Sequence, residues 1–72
     1  MPDTNFIKIN PLILGGTPVF AGTRVPVLIL FEYIETGETI AEFLDEFPSV
    51  SREMAQGVLQ EAKMAVMHAH SA

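Results

Sequence analysis

The chain has 72 residues, 49% of them apolar, and its nine acidic and four basic side chains give a formal charge of −5. The apolar content excludes a disordered tail, and the length predicts one domain over residues 1–72 with a marginal core. With no cysteine, disulfides and cysteine-based metal sites are excluded, and oligomerisation is the expected additional support.

Several functional classes are also disfavoured. No apolar run approaches the ~18–20 residues of a membrane span, and residues 1–10 lack the basic and apolar regions of a signal peptide. We therefore expect a cytoplasmic protein. A chain this short has little room for both a core and an enclosed pocket, so we expect no enzymatic activity, no cofactor and no metal. The acidic balance also argues against a surface dominated by phosphate binding.

The first 25 residues predict a β-hairpin arm. Prolines and glycines separate short apolar runs at 6–9, 12–14 and 19–20, a pattern typical of strands joined by tight turns. Gly15-Gly16 is suited to the hairpin turn, because glycine tolerates positive φ.

From Pro26 onward the apolar spacing becomes helical and predicts three helices over residues 26–72. The first begins at Pro26 and ends before Gly37. The second begins with a capping box, Thr39 with Glu42, and ends at Pro48. The third has Ser51 as its N-cap. Their predicted core-facing stripes are, in order, Val27, Leu30, Phe31 and Ile34; Ile40, Phe43, Leu44 and Phe47; and Met54, Val58, Leu59, Ala62 and Val66.

The first helix is apolar around most of its circumference, because Leu28, Ile29 and Tyr33 lie off the main stripe. Such a helix is buried on more than one side. The arm, a second copy or another protein must cover the remaining surface. We expect a homodimer with the first helix and the arm at its interface, through these three residues.

The second and third helices have the spacing of a helix-turn-helix, with 47–50 as the turn. In that interpretation Ser51, Arg52, Gln56 and Gln60 lie on the exposed side of the third helix and face DNA, since Arg and Gln suit base edges. Any three-helix bundle contains such a pair of helices, however. Residues 38–72 hold six acids and two bases, whereas a DNA-binding domain that acts alone usually has a basic face.

Arg24 lies in a Gly-Thr-Arg-Val-Pro turn, and Lys8 is the one other basic residue before Arg52. Arginine on a rigid turn suits bidentate binding of a carboxylate or phosphate. A local ion pair with Glu32 or Glu35 is the alternative. His68 and His70, two positions apart on a helix, face different ways and are expected to be solvated.

Several strings together resemble the bacterial domain of unknown function 433. They are Ile9-Asn10-Pro11, Gly15-Gly16-Thr17-Pro18-Val19, Gly22-Thr23-Arg24-Val25-Pro26-Val27, residues 37–42, residues 47–51 and residues 58–62. The resemblance covers about Phe6 to Lys63. It implies a mainly α fold, with a homeodomain-like or winged-helix-like three-helix core and an N-terminal β arm.

The resemblance also implies a function. The family is regarded as VapB-like antitoxins of type II toxin–antitoxin pairs, encoded beside PIN-like nucleases. It implies that this chain silences a PIN-like ribonuclease by direct contact, and that it can also bind its own promoter. On this basis Arg24, Ile29 and Tyr33 are the expected toxin-binding residues. Almost no chain follows the third helix, so we expect the arm and the helices to make that contact. A stand-alone helix-turn-helix regulator is the alternative function.

Overall fold

The structure, a computed structural model, describes residues 6–12 and 14–70. Two short strands, β1 (Ile7–Lys8) and β2 (Val19–Phe20), precede three helices: α1 (Val27–Glu35), α2 (Ile40–Glu46) and α3 (Arg52–Ala69). The predicted mainly helical fold with an N-terminal hairpin is confirmed. No described helix combines the length and hydropathy that crossing a bilayer requires.

The hairpin is antiparallel, and Ile7 pairs with Phe20 and Lys8 with Val19. Its connection is longer than predicted, because Leu12 lies in a turn and Leu14 begins a short 3-10 turn. The strand predicted over 12–14 is therefore wrong at both of these residues, and Ile13 lies outside the described residues. Gly15 and Gly16 do adopt positive φ, 66° and 91°, but within this 3-10 turn rather than in a two-residue hairpin loop.

The helix ends follow from local sequence. Val27, one residue later than predicted, is the first residue of α1, with Pro26 as its N-cap. At its C-terminus the Gly37 N–H donates to the Ile34 carbonyl at 3.0 Å, and the Glu38 N–H to the Tyr33 carbonyl at 2.9 Å. This is the Schellman pair, which requires the positive φ of 86° at Gly37.

Both predicted N-caps are confirmed. The Thr39 hydroxyl accepts from the Glu42 N–H at 3.1 Å, and a Glu42 carboxylate oxygen accepts from the Thr39 N–H at 2.7 Å. The Ser51 hydroxyl oxygen accepts from the Met54 N–H at 3.1 Å. These bonds satisfy N–H groups that would otherwise lack partners at the starts of α2 and α3.

The core is built around Phe43, which is fully buried. Its ring centroid lies 5.8 Å from that of Phe20, 5.5 Å from that of Tyr33 and 5.1 Å from that of Phe47. Aromatic pairs at such separations add to the stabilisation from burial. The hairpin, α1 and α2 are therefore joined through one aromatic cluster. The remaining buried core residues are Val19, Val27, Leu30, Val50, Ala55 and Val58.

The predicted stripe of α2 is confirmed, whereas those of α1 and α3 are wrong at one position each. Ile34 is 41% exposed, because the Tyr33 ring takes the inward place by packing edge-on against Phe43 and Phe47. Val66 is also exposed, because the second half of α3 extends past the rest of the core. Ala55, which was not predicted, is fully buried instead.

Gly57 in α3 leaves the space into which the Phe6 side chain packs. A Cβ at this position would overlap the Phe6 ring, at Cδ2 and Cε2. Glycine costs a helix ~1 kcal/mol relative to alanine unless a close approach requires it, and the Phe6 ring is that close approach. The contact fixes the start of β1 against α3.

We predict that Gly57→Ala lowers the free energy of unfolding by about 1 kcal/mol, because overpacking against Phe6 outweighs the gain in helix propensity. In a Phe6→Ala background the same substitution should stabilise the protein by up to about 1 kcal/mol. Urea denaturation of the four proteins measures both effects. Stabilisation by Gly57→Ala with Phe6 present would contradict the packing described here.

Candidate binding surfaces

The turn between β2 and α1 holds its backbone in one conformation by several hydrogen bonds. The Phe20 N–H donates to the Val25 carbonyl at 3.0 Å, and the Val27 N–H donates to the Pro18 carbonyl at 3.0 Å. The Thr23 hydroxyl donates to the Phe20 carbonyl at 2.8 Å and accepts from the Val25 N–H at 3.0 Å. Arg24 is therefore carried by a rigid backbone, as predicted from its glycine and proline neighbours.

Arg24 and Lys8 line the same cleft, which we call the basic cleft. Both side chains are exposed, and neither has a carboxylate within 4.0 Å among the described residues. The alternative of an ion pair between Arg24 and Glu32 or Glu35 is thus absent from the structure. The other residues that line the basic cleft are Ile9, Asn10, Pro11, Val19, Gly22, Thr23 and Ser49.

The chemistry of the basic cleft suits an anionic group. Arg24 offers a planar guanidinium that can pair with two oxygens, and Lys8 adds a point charge beside it. The Asn10 side-chain oxygen accepts from the Leu12 N–H at 2.9 Å, which leaves its amide N–H groups as donors. Ser49, between α2 and α3, contributes a hydroxyl. Sequence reasoning missed Lys8, because only the register of the hairpin brings it to Arg24.

The four residues predicted to face DNA are all exposed. Arg52, Gln56 and Gln60 are spaced four apart on α3, so they lie along one face of the helix. The Ser51 hydroxyl oxygen is already engaged by the Met54 N–H. This face carries one positive charge.

The three α1 residues predicted for the interface differ in exposure. Leu28 is 58% exposed. Ile29 and Tyr33 lie outside the predicted main stripe, yet they are half-buried and pack against the core, so the domain itself covers part of the surface left to the arm, a second copy or another protein. The physical reason is that the side chains of α2 and the hairpin cover more of α1 than its own periodicity indicates.

The surroundings of Tyr33 are acidic. Burial raises the pKa of its hydroxyl, and the negative charges of Glu46 and Glu38 raise it further. Residues 32–46 contain six acidic side chains and no basic one. A partner that touches this side of α1 and α2 would therefore meet negative charge.

The two histidines occur near the C-terminal end of α3. His68 and His70 are exposed near the end of α3. Among the described residues no group of three His, Cys, Asp or Glu side chains is placed to hold a metal ion.

These observations define a small helical domain with a two-stranded hairpin and a basic cleft. Residues 7–62 match the family described as "Protein of unknown function (DUF433)". Since the match spans most of the chain, the chain belongs to the DUF433 family. That description assigns no activity.

Two relatives show the same likeness. The crystal structure of a DUF433 member from Anabaena variabilis aligns with a TM-score of 0.72 at 28% identity, covering 83% of this chain and 59% of that one. The uncharacterized protein y4eO of Sinorhizobium fredii is 43% identical over 47 residues, which are 65% of this chain. The chain spans 21% of the length of that relative.

Tyr33 is the single tyrosine and there is no tryptophan, so tyrosinate absorbance reports on it directly. We predict a pKa above the usual value of about 10 in the folded protein, lowered by Glu46→Gln and unchanged by Glu53→Gln. Because the folded state holds the phenol proton more tightly, this contribution to stability is full below pH ~10 and is lost as pH rises through the folded pKa. An ordinary pKa in the folded wild type would contradict the described environment.

Proposed function

We propose that this domain is an antitoxin-like binding module of a type II toxin–antitoxin pair. It neutralises a PIN-like ribonuclease by direct contact, has no catalytic activity of its own and needs no cofactor. The basic cleft carries this proposal. In a chain of charge −5 with four basic side chains, two of them line one cleft without a described carboxylate partner.

The charge arrangement suits the catalytic site of such a nuclease. PIN-like nucleases hold a divalent metal with several carboxylates, so the empty site is strongly acidic. An acidic inhibitor is repelled at long range and needs cations delivered locally on a rigid support. The hydrogen-bonded turn that carries Arg24 is such a support, and Lys8 adds a second positive charge.

The apolar part of the contact falls on α1, which begins three residues after Arg24. Exposed Leu28 supplies this surface more readily than Ile29 and Tyr33, whose inner sides are already packed. Apolar anchors beside a charged pair are typical of the centre of a protein interface.

We predict that Arg24→Ala weakens inhibition of the cognate nuclease by ~2–5 kcal/mol if the ion pair is buried, because the partner carboxylate is left unpaired. Lys8→Ala should have a smaller effect in the same direction. Arg52→Ala removes the same charge from α3, outside both the basic cleft and the apolar groove, and serves as the control. The measurement is ribonuclease activity of the protein encoded beside this one, titrated with each variant.

Equal inhibition by wild type and Arg24→Ala, with the variant folded, would remove Arg24 from the mechanism. Equal loss in Lys8→Ala, Arg24→Ala and Arg52→Ala would mean that net charge, rather than the basic cleft, governs the contact.

Promoter binding is the second candidate function, either alone or as autoregulation. It is favoured by the exposed row of Arg52, Gln56 and Gln60 at the start of α3. The six acids between residues 32 and 46 oppose the approach of phosphate. DNA binding should therefore be weak for the free chain and stronger with a basic partner bound.

We predict that Arg52→Ala weakens promoter binding in a mobility-shift assay at physiological salt, whereas Lys63→Ala, further along α3, has less effect. Unchanged affinity of Arg52→Ala would show that the start of α3 does not enter the groove.

A further inference from the structure

A second concave surface lies between the hairpin, α1 and α3, and we call it the apolar groove. Its volume is about 830 Å³, and its lining residues are Ile7, Ile9, Thr17, Pro18, Val27, Leu28, Phe31 and Glu61. Ile9 is 67% exposed and Leu28 58%. Glu61 is the one charged side chain in this lining, and it has no ion-pair partner among the described residues.

The second half of α3 is also exposed. The buried residues of α3, Ala55 and Val58, lie in its first half, whereas every residue from 63 to 70 is exposed. Met64, Val66 and Met67 are large apolar side chains in this projecting segment. It is about two helical turns long, roughly 10 Å at 1.5 Å per residue.

The two surfaces adjoin each other. Glu61 lines the apolar groove, and Met64 and Ala65 follow it three and four positions later, on the same face of α3. The projecting segment therefore leaves the domain at the edge of the apolar groove. Apolar surface continues from Leu28 and Phe31, past Glu61, to Met64.

We propose that a second copy of this chain fills the apolar groove with the projecting end of its own α3, in a reciprocal two-fold dimer. Two α3 ends that cross antiparallel beside Glu61 place Met64 and Met67 of each copy over Leu28 and Ile9 of the other. One contact then covers both unpartnered surfaces, as a closed isologous interface does.

The chemistry of the two surfaces is complementary. Methionine is flexible enough to fill an irregular apolar groove. The chain thus carries both the apolar groove and an exposed apolar helix end, Met64 to Met67, that can occupy it. The proposal does not depend on the antitoxin function.

The first test is the mass of the particle in solution. Sedimentation equilibrium at micromolar concentration should give twice the 7.9 kDa of one chain. Leu28→Glu and Met64→Glu, both at exposed positions, should each raise the dimer dissociation constant by about tenfold or more. Ile34→Glu, an exposed apolar position on α1 that does not line the apolar groove, is the matched control and should leave the dimer intact. Circular dichroism verifies that each variant is folded.

The second test uses the absence of native cysteine. An affinity-tagged Met64→Cys protein is mixed with untagged Leu28→Cys protein under mild oxidation, and the tagged fraction should contain the mixed disulfide. Ile34→Cys in place of Leu28→Cys should give only background.

A monomeric wild type would overturn the proposal. A dimer that is lost in Leu28→Glu but kept in Met64→Glu, or a Met64→Cys protein that links equally to both partners, would overturn it too. Loss of the dimer in Leu28→Glu with retention in Met64→Glu would mean that an element other than α3 of the second copy occupies the apolar groove.

Discussion

The structure depends on how the segment from Pro18 to Val27 ties the hairpin to the helices. Its backbone hydrogen bonds, Phe20 to Val25 and Val27 to Pro18, close a tight crossing between β2 and α1. The same segment buries the Phe20 ring against Phe43. A hairpin with two-residue strands is not stable on its own, so it persists here because its inner strand belongs to the core. Phe6 packs against Gly57 and so holds β1 against α3.

Both binding surfaces follow from this attachment. The register of β1 on β2 brings Lys8 to the turn that carries Arg24, which forms the basic cleft. The other side of the hairpin, with α1 and α3, encloses the apolar groove. Ile9 lines both surfaces, so they are contiguous. Leu28 is also assigned to both contacts, so a self-associated form and a partner-bound form would compete for it.

Local signals in the sequence were sufficient for the helices. The capping box at Thr39, the serine cap at 51 and the glycine after α1 each specify a backbone hydrogen bond within a few residues, and each is present. The longer connection of the hairpin was not predictable in the same way, because Gly15-Gly16 signals positive φ without specifying the turn type. Tyr33 and Ile34 are adjacent and both apolar, so only the aromatic partners from α2 decide which one faces inward. Lys8 beside Arg24 depends on strand register, which periodicity does not encode.

The central claim is that the segment from 18 to 27 is part of the folded core rather than a surface loop. Amide hydrogen exchange, followed residue by residue, tests it most directly. The N–H groups of Phe20 and Val27 should exchange as slowly as that of Leu30 in α1, because they open only when the domain unfolds. Fast exchange at Phe20 and Val27 beside a protected Leu30 would contradict the account, since the hairpin would then open independently of the helices.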